Sequence, residues 1–417
     1  MPLPRAPRTP KSFRETLRSR PREGDGRTGA ALAAAEAPRA AGPRDGFRRD
    51  VALDLVRGLA VLILVVNHIH LDSALEYATQ PFMSAAEALV LVSGVVCGIV
   101  FRRRWQREGA GAVTLTLLHR SGKLYVASVV VVALVGALRF MPGLQTDALT
   151  VLPSGGADLY AVDGPLGMLI GIVTLGVGPW QFDVLGFFIA ALAAAPLVLW
   201  ALDRGWWPVV LTSSLGLYLT GRLTMLEVLP SMSERPFPLL IWQFLFVPAM
   251  VLGWHRERVG DALRAAGRSV PATVAIVALL AGYLRLHEIG LDPLGLDGLL
   301  GHGPADWAAW DREHFDKRSL DPLRLVTMVS FTAAAYLVFS RFQRIAEPTI
   351  GRLLIPLGRN SFYVFIMQVF LCLAVASVPA LGGEGPGFIA NTLVQAACLA
   401  LLWLMVRRRV LFGLVPR

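Results

Sequence analysis

Between Asp50 and His70 the chain reads DVALDLVRGLAVLILVVNHIH. This apolar run is long enough to form a membrane-spanning helix. It nevertheless carries Asp54 and Arg57 near its start and His68 and His70 near its end. Ionisable groups are costly in lipid, so within a span they face a protein interior or a wet cavity. Arg57 and His68 are eleven residues apart. At about 100° per residue that spacing is roughly 20° from three whole turns, which puts both on one helix face, about 16 Å apart along the axis. One face thus carries a cation toward one end and an imidazole toward the other. Each group also has a plainer role. Arg57 can snorkel from a helix end, Asp54 can pair with it at i,i+3, and either histidine can reach water at the far interface. Their joint occurrence with Gly58 on one span is what points to a site.

The rest of the chain has the same character. Of its 417 residues, 54% are apolar, and the mean hydropathy is +0.55. That composition predicts an all-α polytopic membrane protein with no room for a large soluble domain. The net charge is +10, and residues 1–50 supply +6 of it, twelve Lys and Arg against six Asp and Glu. The positive-inside rule accounts for this excess, so no nucleic-acid partner is expected. Cys97, Cys372 and Cys398 fall in apolar runs without metal-binding spacing or a disulfide framework. The chain has no Walker motif, no GxGxxG at a strand-to-helix turn and no HExxH. No permanently bound cofactor or metal is expected.

Residues 1–46, rich in Pro, Arg, Ala and Gly, are expected to form a disordered basic cytoplasmic tail. A membrane domain over 47–409 and a short C-terminal tail over 410–417 follow. Spans are predicted at about 51–71, 83–101, 119–141, 182–202, 206–225, 238–254, 270–287, 323–340, 354–378 and 388–406. Residues 164–178, GPLGMLIGIVTLGVG, are apolar but short and carry five glycines. If they crossed, the basic linker 254–268 would face outside. Treated as re-entrant or interfacial, they leave every basic linker and both termini in the cytoplasm. The expectation is therefore about ten transmembrane helices plus this short segment. The external loop 288–322 combines Trp307, Trp310, Asp311, His314, Asp316, Lys317 and Arg318. Such a mixture suits a sugar, and it equally suits an interfacial aromatic belt.

A histidine in a membrane cavity can act as a general base toward a hydroxyl, and burial favours the neutral, basic form of an imidazole. His68 is the candidate catalytic residue, with Glu87 or Asp72 as the acid that orients it. Arg57, Arg120, Lys123 and Arg359 form a cationic set able to hold a phosphorylated donor. Asp54, Glu87, Ser93, Trp242, Gln243 and Arg324 are the candidate substrate contacts. Gly94 beside Ser93 has a commoner use in close helix packing. Acyl transfer from a cytoplasmic thioester to an acceptor at the other face would use both ends of the first helix.

LDLVRGLAVLILVVNHIH resembles the Asp-x-x-Arg-Gly…His signature of the transmembrane acyltransferases, with the same separation from Arg57 to His68. EALVLVSG and HRSGKLY are similar to the segments that follow it, with Lys123 at the second basic place. FPLLIWQFLFV, FDKRSLDPLRLV and PLGRNSFYVF look like the narrower OpgC-type proteins, enzymes of the inner membrane that succinylate osmoregulated periplasmic glucans. The resemblance runs from Arg49 to Phe370. It implies a ten-helix fold, His68 as catalytic residue, acyl-CoA (for this family succinyl-CoA) as donor, a periplasmic glycan acceptor and a bacterial inner-membrane location. One departure is Val326-Thr327, where the pattern has a histidine after PLRL. A transporter or flippase of a lipid-linked or acylated saccharide is the competing reading, since intramembrane charges are common to both classes. The single glycine-broken segment, where transporters often have a pair, weighs against it. A third reading, a non-catalytic scaffold, predicts that Arg57 and His68 are replaceable by apolar residues.

Overall fold

The computed structural model describes residues 50–80, 84–153, 155–288, 309–310, 313–381 and 387–413. The tail expected over 1–46, most of loop 288–322 and residues 414–417 lie outside the described residues. The described part has no strand. Its main helices are α1 Val51–His68, α2 Ala86–Leu138, α3 Gly164–Thr174, α4 Asp183–Asp203, α5 Trp207–Thr224, α6 Leu239–Trp254, α7 Arg256–Ala266, α8 Ser269–Glu288, α9 Pro322–Arg341, α10 Gly351–Arg359, α11 Ser361–Ala376 and α12 Phe388–Arg408.

The helix α1 starts where Asp50 caps it, the carboxylate accepting the N–H of Leu53 at 3.3 Å. The other oxygen of that carboxylate accepts from Arg256 and from the Tyr336 hydroxyl, each at 3.1 Å. One acid therefore caps α1 and ties it to α7 and α9. Most of the apolar residues of α1 are buried, so this helix runs through the middle of the bundle.

Glycines set the closest helix contacts. A Cβ on Gly58 would stand 2.1 Å from the Leu354 carbonyl oxygen, and one on Gly358 would stand 2.7 Å from that of Asp54. Helices α1 and α10 thus touch backbone to backbone. Between α2 and α6 the same happens at Gly98 against Met250 and at Gly253 against Val95, each 2.1 Å from a carbonyl oxygen. Gly94 belongs to this contact too, with Phe246 O 2.4 Å from a built Cβ. This close packing of small residues is how apolar helices associate where lipid offers no hydrophobic driving force.

The expected count of about ten spans is not reached. Among the described residues, five helices are long and apolar enough to cross a membrane, or seven if each bent pair is one span. The second and third expected spans are one 53-residue element, α2, broken only by Gly109 at φ 81°. The expected spans at 206–225 and 270–287 do form helices, but serines and threonines dilute α5, and within α8 the described apolar stretch is Ser269–Tyr283. The expected span at 354–378 is bent by 95° between α10 and α11, and α6 turns by 85° into α7.

The segment at 164–178 behaves as its length demands. Helix α3 has 11 residues, about 16 Å of rise, too short to cross alone. Leu175 ends it in the left-handed conformation at φ 55°. The Tyr125 hydroxyl donates to the Val173 carbonyl at 2.8 Å. Tyr125 lies thirteen residues before the end of α2, roughly 20 Å along that helix. The end of the segment therefore sits beside the part of α2 that follows Gly109.

Candidate active site

The carboxyl end of α1 leaves backbone carbonyls without helical partners, and side chains from two other helices satisfy them. Gln395 of α12 donates its amide N–H to Ile69 O at 2.6 Å and to Val66 O at 3.3 Å. Its own oxygen accepts from the Ser73 hydroxyl. The Cys372 thiol of α11 donates to His68 O at 3.4 Å, and the Asn391 amide donates to Asp72 O at 3.0 Å. His68 is thus held from behind through its backbone, which leaves its ring to face inward.

That ring meets Trp180 edge to face, centroids 5.0 Å apart, and Phe365 at 6.3 Å. Its Nδ1 is buried and makes no hydrogen bond. Gln368 of α11, a fully buried glutamine, lies beside it. His68 and Trp180 line two cavities at once. The larger, about 900 Å³, is bounded by the 143–153 and 375–381 segments and by His70. The smaller, about 270 Å³, reaches inward along Leu64 to Phe237, Lys317 and Asp183. His70 is exposed and faces Glu76 at 3.5 Å.

The inner cavity is rich in charge. Asp183 opens α4, and its Oδ1 is buried without a hydrogen bond. The Lys317 ammonium lies 4.3 Å from the centre of the Phe237 ring. Loss of water pushes the Lys317 pKa below its ordinary value, and Arg324 adds to that push, while Glu87 and Asp183 oppose it. Arg324 is itself paired with Glu87, placing two nitrogens on Glu87 Oε1 at 2.6 and 2.7 Å. A third Arg324 nitrogen donates to Phe315 O at 2.9 Å.

The residues singled out from sequence therefore divide. His68 is in the site. Glu87 and Arg324 form a buried ion pair behind it. Trp242 is fully buried and donates to the backbone carbonyl of Lys317 at 3.2 Å, so it positions that loop. Gln243 is engaged elsewhere, with Ser214 and Leu240 carbonyls accepting from it at 2.8 and 3.0 Å. Ser93 is half-buried on the α2 face beside Gly94. Neither Glu87 nor Asp72, the acids expected near His68, lines either cavity; Asp183 lines the inner one and Asp147 the outer.

The cations expected to hold a donor lie elsewhere. Arg57 stands in α1, about 16 Å of rise from His68. Arg359 donates to Asp54 at 3.2 Å, across the contact of α1 with the α10–α11 bend. Arg120 and Lys123 are exposed on the second half of α2, Arg120 over the Phe101 ring at 5.6 Å. None of the four lines the two cavities at His68. A separate cavity of about 780 Å³ opens at the Asp50 end of α1, walled by α2, α6, α7 and α9.

Three residues of the site were not foreseen. Trp180 and Asp183 open an apolar run, and an acid one turn into such a run is the same signal that drew attention to Glu87. Gln368 is a polar residue in the middle of the apolar run SFYVFIMQVF.

A protein-family model described as OpgC protein matches residues 49–412. The chain belongs to the OpgC protein family. The match extends beyond the resemblance seen in the sequence and takes in α1 through α12, hence His68, Trp180, Asp183, Lys317 and Gln368 together. No curated protein matched the chain.

Proposed function

We propose that this OpgC-family chain is a membrane O-acyltransferase that moves an acyl group, succinyl, from acyl-CoA to a periplasmic glycan such as an osmoregulated glucan. The observation that carries the reading is His68. Its imidazole stands between two cavities, with a buried nitrogen that makes no hydrogen bond. In this role it takes the proton of an acceptor hydroxyl as that oxygen attacks the thioester carbonyl. The carbon–sulfur bond then breaks, and the departing CoA thiolate receives the proton from the imidazolium. A positioned base of this kind contributes about 10²- to 10⁴-fold.

The proposed setting is the bacterial inner membrane, with both termini in the cytoplasm and the His68 end of α1 toward the periplasm. Ten crossings are reached if α2 crosses twice about Gly109, each bent pair crosses once, and α5 and α8 also cross. CoA then approaches from the Asp50 end, where Arg57, Arg120, Lys123 and Arg359 offer charge to its phosphates. The acceptor enters the 900 Å³ cavity, which lies within the range of about 300–1,000 Å³ usual for ligand pockets. Family membership supports this reading over transport of a saccharide.

The test uses purified full-length protein, radiolabelled succinyl-CoA and a β-glucan. The wild type should label the glucan. The His68→Ala protein should lose at least about a hundredfold of that rate with an unchanged melting temperature. A folded His68→Ala protein that still labels the glucan rules the mechanism out.

A further inference from the structure

The wall of the inner cavity is short of hydrogen-bond donors. Asp183 and Gln181 stand on it, 9% and 2% exposed. Asp183 Oδ1 and Gln181 Oε1 are buried and have no partner among the described residues. The Gln181 amide nitrogen donates to Ala148 O at 3.3 Å, and the Trp180 indole N–H donates to the same carbonyl at 3.1 Å. That shared anchor leaves the amide oxygen as the unanswered end. Buried acceptors without donors are costly, and each calls for an explanation. Charge is not what the wall lacks. Lys317 and Asp183 line it with opposite signs, and Glu87 and Arg324 answer each other at 2.6 Å. The occupant that fits is neutral and rich in donors.

Hydroxyl groups meet that description, since each donates one hydrogen bond and can accept others. A sugar ring donates to Asp183 and Gln181 from its hydroxyl edge, accepts from the Lys317 ammonium, and lays its apolar C–H face against Trp180 and Phe237. Size sets the limit at one ring. About 270 Å³ is below the roughly 300–1,000 Å³ of pockets for drug-sized ligands. Position agrees. His68 ends α1, and α2, α4, α6 and α9 all begin at or just after residues that line this cavity. It therefore lies at the His68 end of the bundle, away from Asp50. It also shares His68 and Trp180 with the outer cavity, so a ring inside it remains within reach of the imidazole and of a chain held outside.

We infer that the inner cavity is a subsite for one sugar ring of the acceptor, whose hydroxyls donate to Asp183 and Gln181 while another is presented to His68. The rest of the glycan lies in the outer cavity. This rests on the acyltransferase reading for the identity of the acceptor but assigns a binding site of its own. Asp183 and Gln181 hold the ring and take no part in bond making.

The experiment measures calorimetric binding of a β-linked glucose disaccharide and its monodeoxy analogues to the purified full-length protein, without acyl-CoA. The wild type should bind the disaccharide. Deleting the hydroxyl that meets Asp183 should weaken it by about ten- to a hundredfold, the range of a hydrogen bond to a charged group. Asp183→Ala should weaken the parent disaccharide by the same factor and be indifferent to that one deletion. Gln181→Met should weaken it by about two- to tenfold and be indifferent to a different deletion. Asp183→Asn substitutes if Asp183→Ala does not fold, with a smaller loss in the same pattern. A wild type that does not bind the disaccharide overturns the subsite. So do variants that bind it as tightly as the wild type, the result if water alone answers the two oxygens. Variants that weaken every analogue by one common factor overturn it too, because a purely structural role does that. Labelling of glucan from succinyl-CoA is read on the same preparations. The binding pattern without labelling upholds the subsite and removes the transfer reading, and labelling without the pattern does the reverse.

Discussion

The edge of the His68 imidazole meets the Trp180 indole at 5.0 Å, and both side chains line the large outer cavity and the small inner one. The indole is thus part of the partition between the two spaces. Replacing Trp180 by Ala should join them. In the acyltransferase reading, water then reaches the thioester, so hydrolysis without acceptor should rise while transfer to glucan falls roughly tenfold from lost positioning. Trp180→Phe should keep most of the transfer. A ratio of hydrolysis to transfer that stays constant in Trp180→Ala would show that the ring is not a barrier.

Gln395 holds the histidine end of α1 by its side chain alone. Gln395→Leu leaves the Ile69 and Val66 carbonyls without their donor, a cost of about 1–3 kcal/mol. The melting temperature in detergent should fall, and amide exchange should quicken around residues 66–73. Gln395→Glu should be no better, because a carboxylate cannot donate. Equal stability of wild type and Gln395→Leu contradicts the anchoring role.

The Glu87–Arg324 pair is buried, with the acid completely hidden. Removing one partner of a buried pair costs about 3–5 kcal/mol, whereas replacing both with apolar groups can come close to neutral. Glu87→Leu and Arg324→Leu should each destabilise strongly, and the double variant should recover part of the loss. Arg324 also donates to Phe315 O, so recovery should be incomplete. Strict additivity in denaturation measurements would mean that the pair is not coupled.

Gly58 lies in the first-helix signature, yet its role is to let helices touch. A methyl group there would stand 2.1 Å from Leu354 O, a backbone atom that cannot turn aside. Gly58→Ala should destabilise by about 1–3 kcal/mol, as overpacking does. Gly111, in α2 with open space around it, is the control. Gly111→Ala should be neutral or stabilising by up to about 1 kcal/mol. Thermal unfolding of the two variants side by side checks both expectations.

Sequence by itself determined the all-helical, apolar character of this chain, the place of α1, the shortness of the apolar segment at 164–178 and the common face of Arg57 and His68. Those features are local. Hydrophobic run length, helical period and glycine content are written in consecutive residues and need no partner to be read. The motif residues were legible as chemistry for the same reason. Tertiary structure decided which of them work together. Glu87 or Asp72 looked like the acid for His68 because both are close to it in sequence, but Glu87 is paired with Arg324, 237 positions away, and neither acid lines the cavities at the imidazole. Asp54 looked like the partner of Arg57, yet Arg359 also reaches it from 305 positions away. Trp180, Asp183, Lys317 and Gln368 come to the imidazole from three separate stretches of chain. Helix packing brings them there, and packing depends on shape at contacts such as Gly58 with Leu354, which the order of residues does not display. The span count failed on the same ground: where a helix bends, as between α10 and α11, depends on its neighbours as much as on its own composition.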